Sequence, residues 1–347
     1  MKCLPYLLFM AALTSCSGVR SLEIETYAPS DVTFPKGVRK VLVVDNALPQ
    51  PSDVGCRFKY MNVEQDTCHI ATDSAIYEAC RSLGKELADA DYFDDVLLYS
   101  LPTRSKSESF FTDGKLTPEE VSELCRTTGT DAVVSIDRLL FDVKRDISGA
   151  EGGYYTGDIR VNITGMARSY LPQQQQATTV LVNDSLFISG WSYSPEEANV
   201  ALPSCTKAAD MAGDYIGRKL YVAFVPHWEK AQRMYYTGVS TTWQLAGAAA
   251  AAKKWDEAAS YWKNIYDRTS AWKTKAKTAA NLALAYEMEG HFQEALDKAK
   301  EAARLFRQHA GEADNNTKFL QAYVRDLDIR LANQPLLQKQ TQSHPQE

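Results

Sequence analysis

Seven cysteines, five histidines and a few adjacent carboxylates are the residues of this sequence whose types could do chemistry. The histidines (His69, His227, His291, His309 and His344) are scattered, with no HExxH and no pair at ligand spacing. No metal is therefore expected. The sequence holds no GxSxG elbow, no GxxxxGKS/T phosphate loop and no GxGxxG turn; each would place a nucleophile or backbone amides where an acyl or phosphoryl group needs them. Gly149 to Gly153 (GAEGG) is too loose to cradle phosphate and reads as a hairpin turn. Asp94-Asp95 and Glu119-Glu120 are sequence neighbours, so they point apart on a strand or sit together at a helix start. Neither has the separation that lets one carboxyl give a proton while the other acts from across a substrate. Cys68-His69 adjoin in one loop, which is not how a nucleophile and its base usually meet. The expectation is a non-catalytic protein without a cofactor.

The N-terminus carries a different chemistry. Met1-Lys2 is a short positive segment, and Cys3 to Leu13 an apolar run ending in Leu13-Thr14-Ser15-Cys16. Spanning a bilayer takes about 20 apolar residues, so this run suits a signal peptide instead. Its end resembles the bacterial lipobox. That resemblance implies cleavage before Cys16, a diacylglycerol thioether on Cys16 Sγ, and anchoring by two or three acyl chains where one would hold marginally. The next residues, Ser17-Gly18-Val19-Arg20, have neither the Asp that commonly retains such proteins at an inner membrane nor an acidic cluster resembling a surface-export signal. The expected place is the outer membrane, facing the periplasm, with surface display as the alternative. The membrane partner is reached through lipid on Cys16.

Five cysteines remain, an odd number, so at least one thiol stays free. Cys56 and Cys68 flank one loop and are the candidate disulfide, whose short ring would stabilise by about 3 kcal/mol on the chain-entropy model. Cys80 and Cys125 sit in helical patterns and read as small buried hydrophobes. The chain has 347 residues, is 45% hydrophobic and carries a formal charge of −6, with a pI of about 5.5. That balance excludes disorder throughout, and argues against a nucleic-acid partner, which would select a basic face.

The elements that position these residues begin with a strand over Val38 to Asp45, an apolar β-branched run. A helix capped by Asp73 or Ser74 runs to about Asp91, and a short strand covers Val96 to Tyr99. Thr117-Pro118-Glu119-Glu120 starts a helix with a capping hydroxyl, an early proline and a glutamate three residues after the cap. It ends at Gly129, before a strand over Ala132 to Val143. Asp158 to Tyr170 and Thr178 to Trp191 alternate like antiparallel strands, Ser204 to Leu220 is helical, and Tyr221 to Val225 reads as a last strand. The fold class expected is an α+β or α/β mixed-sheet domain followed by an all-α helical domain.

The helix leading into Gly129-Thr130-Asp131-Ala132-Val133-Val134 is similar to the periplasmic α/β domain of curli-secretion-type lipoproteins. Over the whole chain, with Pro226-His227-Trp228 and Arg233-Met234-Tyr235-Tyr236 as the passage between domains, the sequence resembles a family of Bacteroidota lipoproteins that join such a domain to a short helical repeat. The resemblance implies a fold and a compartment, and no activity.

Val239 laid over Ala276 aligns two segments, matching Leu245 with Leu282, Trp255 with Phe292 and Ala258 with Ala295. In the second, Leu282, Ala283, Tyr286, Gly290, Phe292, Ala295 and Ala302 resemble the signature of a tetratricopeptide (TPR) repeat. Helices that cross closely need small residues such as Ala283 and Ala295 at the crossing, and Gly290 turns the chain between them. Lys253 stands opposite Gly290 in the first, degenerate copy. Phe319, Leu320, Tyr323, Val324, Leu327 and Leu331 form a stripe for a capping helix. If the first helix of each repeat lines a groove, Trp243, Lys277, Leu284, Glu287 and Met288 face a protein or peptide partner. The organisation expected is a signal peptide over 1–15, a tether over 16–35, the α/β domain over 36–226, an aromatic hinge over 227–236, the repeats with their cap over 237–332, and a disordered tail over 333–347. The expected role is a lipid-anchored periplasmic adaptor binding through the repeat. The alternatives are an accessory or ligand-binding component of an envelope or secretion assembly acting through the α/β domain, and an enzyme whose site no motif marks.

Overall fold

The computed structural model describes residues 18–65, 68–104, 110 and 114–343. Cys16, with the lipidation expected on it, lies outside them, as does His344. The chain divides into two compact units: residues 29–227 with the chain from Leu337, and residues 228–336 with the N-terminal segment through Ala28. A mixed-sheet region is followed by a run of helices, as the sequence pattern predicts.

Strand β1 (Val19–Ala28) belongs to the helical unit. The α/β unit then runs β2 (Lys40–Asp45), β3 (Cys56–Tyr60), β4 (Val63–Gln65), α1 (Asp73–Asp89), β5 (Asp95–Leu98), α2 (Pro118–Thr128), β6 (Ala132–Gly149), β7 (Tyr155–Tyr170), β8 (Thr178–Ser192), α3 (Pro195–Ala201) and α4 (Cys205–Leu220). The long strand β6 organises the sheet. Its first residues pair in parallel with β2, which pairs in parallel with β5, and its last pair in parallel with β3. Its other edge pairs antiparallel with β7 along nearly its whole length, and β8 follows β7. Val41 and Val43 of β2 face the large core beneath α1 and α4, while Leu42 and Val44 face Leu116, Val121 and Leu124 on the α2 side. Covering on both faces explains the unbroken apolar run.

The register of β6 against β7 shifts between Ile136 and Arg138. Ala132, Val134 and Ile136 face the large core before the shift, and Leu139, Phe141 and Val143 after it, so one extra residue, Asp137, changes the parity. A β-bulge of this kind re-aims a side chain at the point where it occurs. Helix α2 has the full reciprocal cap between Thr117 and Glu120, and ends at Gly129 with φ 68°. Helices α1 and α4 approach unusually closely. A Cβ on Gly213 would lie 2.0 Å from the Ala75 carbonyl oxygen, and one on Gly217 would lie 2.3 Å from that of Ala79.

In the helical unit, β9 (His227–Tyr236) pairs with β1, followed by α5 (Thr241–Ala251), α6 (Trp255–Arg268), α7 (Trp272–Met288), α8 (Phe292–Ala310) and α9 (Asn315–Ser343). Ala246, Ala258, Ala283 and Ala295 are fully buried, as close helix crossings require. Lys253 adopts φ 58° where its counterpart Gly290 has φ 79°, so the two turns share a left-handed geometry. The side-chain amide of Asn281 accepts from Tyr236 N at 2.7 Å and donates to Tyr236 O at 2.8 Å, fixing the end of β9.

Four expectations are corrected. The tether over 16–35, which the sequence reads with some strand character only at Leu22 to Tyr27, contains the longer strand β1, whose Ile24 and Thr26 turn inward while Glu23 and Glu25 turn out. The aromatic hinge over 227–236 is strand β9, where Lys230 and Gln232 reach Glu23 at 2.9 and 3.2 Å. The strand expected over Tyr221 to Val225 is a 3-10 turn at Tyr221–Ala223. The disordered tail is helical to Ser343, because Gln340 is buried among partners. Its amide accepts from Ser30 N and donates to Ser30 O, Val32 O and Thr33 Oγ1, and the Tyr92 hydroxyl donates to its carbonyl.

Candidate functional site

The five residues expected to line a helical groove do not form an open surface. Leu284 is fully buried, and Glu287 is 3% exposed. The Glu287 carboxylate accepts from Arg233 Nε at 2.9 Å, Arg233 Nη2 at 3.0 Å, Tyr323 OH at 2.7 Å, and Arg330. It is the centre of an internal charge cluster, which corrects its assignment to a partner. Helix α7 is apolar on most of its circumference, so a position two turns along it turns inward as readily as out. Trp243 is half-buried between the two cores of the unit. Lys277 is half-buried with Nζ 5.3 Å from the Tyr236 ring centroid, and burial together with nearby Lys273 pulls its pKa down. Met288 packs against the core of α5–α6.

The convergence of polar groups lies instead at the carboxyl ends of β2 and β5, beside the bulge of β6. In sheets with parallel strands this edge is where ligands bind, because crossovers leave the strand ends open. Asp137 Oδ1 accepts from Ser135 Oγ at 2.6 Å and Asn46 Nδ2 at 2.7 Å. Its Oδ2 accepts from Arg168 Nη1 at 2.5 Å and Tyr170 OH at 2.9 Å. The Asp137 and Arg168 side chains are 1% and 3% exposed. A carboxylate with four donors on it has no lone pair free to take a substrate proton, so this cluster positions rather than reacts. Burial, then the charge of Asp137, pushes the Tyr170 hydroxyl pKa far up and keeps it a donor.

What the cluster positions is the wall of a cleft. Asn46 Nδ2 also donates to Gly114 O at 2.6 Å, Thr103 Oγ1 donates to Asn46 Oδ1 at 2.5 Å, and Leu116 N donates to Tyr170 OH at 3.3 Å. Thr103 and Leu116 line a cleft of about 590 Å³ with Tyr99, Leu101, Pro102, Leu124 and the glutamates of α2. Glu120 caps the helix and Glu123 pairs with Arg126 at 2.7 Å. Glu119 has no partner among the described residues. At the end of β2, burial, opposed by the Ala47 amide and helped by Asp73, raises the Asp45 pKa to about 6.

Sequence reasoning missed Asn46, Asp137, Arg168 and Tyr170. One signal was present: an aspartate inside the run AVVSIDRLLFDV, since a charge in an apolar strand demands buried partners.

Cys56 and Cys68 are bridged, the pairing expected. Cys80 and Cys125 are buried, and burial pushes both thiols up. Among the described residues, the side chains converging within metal-ligating reach of one another are Cys56, Cys68 and Cys205.

A family model described as Domain of unknown function (DUF8603) matches residues 38–236, and one described as Domain of unknown function (DUF6340) matches residues 244–329. No curated protein matches the chain. A solved structure, that of the hypothetical protein CT253 from Chlamydia trachomatis, is similar over 53% of this chain and 95% of its own at 12% identity, with a TM-score of 0.23.

Proposed function

For a chain that belongs to the family described as Domain of unknown function (DUF8603), over residues 38–236, we propose a non-catalytic binding protein, held to the bacterial outer membrane by lipid on Cys16, that seats its ligand in the cleft of the α/β unit. The observation that carries this reading is the cleft of about 590 Å³ whose apolar floor is braced by a saturated buried charge cluster and whose rim carries the exposed Glu119. A floor of Tyr99, Leu101, Pro102 and Leu124 favours an apolar body, and an acidic rim favours a cationic edge. The ligand class is a cationic amphiphile, such as a basic amphipathic peptide. Titration of the purified chain with a fluorescent peptide of that class should saturate, and an acidic peptide of equal hydrophobicity should not. Glu119→Lys should weaken binding at least tenfold, with the melting temperature unchanged. Equal binding of both peptides would contradict the reading.

A second reading keeps the tetratricopeptide-like unit as the adaptor surface for a protein partner. Its support is the apolar exposure at the start of α5, where Val239 is 95% and Leu245 45% exposed beside half-buried Trp243.

A further inference from the structure

Cys205 Sγ lies 3.4 Å from Cys68 Sγ, and Cys68 is bridged to Cys56. Three sulfurs from three separate parts of the α/β unit therefore meet: Cys56 opens β3, Cys68 precedes α1, and Cys205 is the first residue of α4. All three are partly exposed, so the cluster is within reach of solvent. We propose that they form a thiol–disulfide exchange centre, in which one disulfide is shared between the pairings Cys56–Cys68 and Cys68–Cys205.

The surroundings of Cys205 suit an attacking thiol. It sits one residue after Ser204, whose hydroxyl caps α4 by accepting from Lys207 N, so the unpaired amides of the first turn favour negative charge there. Arg145 is held beside it by Asn199 Oδ1, Asn199 O and Pro203 O. Burial raises the Cys205 thiol pKa, and the guanidinium charge offsets part of that rise. That cation also makes the cluster a poor seat for a metal ion. In the exchange, the Cys205 thiolate gives its electron pair to Cys68 Sγ. The Cys68–Cys205 bond forms as the Cys56–Cys68 bond breaks, and Cys56 leaves as the thiolate, taking up the proton that Cys205 released. One disulfide and one thiol stand on each side, so no oxidant or reductant is consumed. The consequence is mechanical: the segment before α1 is tied either to the sheet at β3 or to the helix layer at α4.

The test is a disulfide map of the full chain, purified without reductant, quenched in acid, alkylated and digested unreduced. Both linked peptides, Cys56–Cys68 and Cys68–Cys205, are expected, with alkyl label on both Cys205 and Cys56. After one isomer is enriched at low pH, interconversion should accelerate by about tenfold per pH unit below the thiol pKa, since the thiolate is the nucleophile. Cys56→Ser should form Cys68–Cys205 quantitatively under air. Label on Cys205 alone in the wild-type chain would overturn the proposal, and that map needs no variant to fold. So would a reduced chain that retains zinc on the three sulfurs and yields no Cys68–Cys205 peptide on oxidation.

Discussion

Asp45 and Glu287 are both carboxylates inside the protein, and their surroundings give them opposite effects on stability. The fold raises Asp45 to about 6 from 3.8, so between those values the folded chain binds more proton than the unfolded one. Its contribution is full below the unfolded value and is lost as pH rises through about 6. Asp45→Asn should therefore stabilise the chain at neutral pH by on the order of 1–2 kcal/mol, after discounting for partial exposure, and should change little near pH 4. Melting curves across that range check it; equal stability at both pH values would remove the claim. Glu287 is paired with Arg233 and Arg330 and accepts from Tyr323. Glu287→Gln leaves buried Arg233 with only the exposed Asp326 at 3.3 Å, and Arg330 with no carboxylate inside the cluster, at a cost of about 3–5 kcal/mol. Urea unfolding of the full chain reads it. A residue facing a partner would show almost no loss, which is the outcome the sequence pattern alone implied.

At the scale of elements, legibility followed how locally each signal is written. The α2 cap is four consecutive residues, and the αL turn at Gly129 is one, so both ends of that helix could be read. Strands β7 and β8 alternate over a long run and were equally plain. Strands β1 and β9 lie 199 residues apart, counting Ala28 to His227, and each alternates weakly, so neither half announces its partner. The bulge at Asp137 depends on the register against β7, which no single strand contains. The tail was opaque for another reason: it is rich in Gln and includes Pro335, which removes a helical hydrogen bond, and only burial of Gln340 shows why it is ordered. Truncation of residues 337–347 should strip the Gln340 partners from Ser30 N and Ser30 O and destabilise the α/β unit by about 2 kcal/mol or more. Differential scanning calorimetry of the truncated chain measures this, and an unchanged transition would mean that the tail contributes nothing.

Over the whole molecule, two units carry different kinds of surface. The helical unit turns its expected groove residues into its own cores, whereas the α/β unit uses four buried hydrogen bonds on Asp137 to hold an apolar cleft open at the strand ends. A photo-crosslinking amino acid placed at Leu101, 65% exposed in the cleft, or at Leu245, 45% exposed on α5, separates the two readings in intact envelopes. With the ligand seated in the cleft, Leu101 gives an adduct that disappears with Glu119→Lys. An adduct from Leu245 alone, or one from Leu101 indifferent to Glu119→Lys, would contradict the cleft reading.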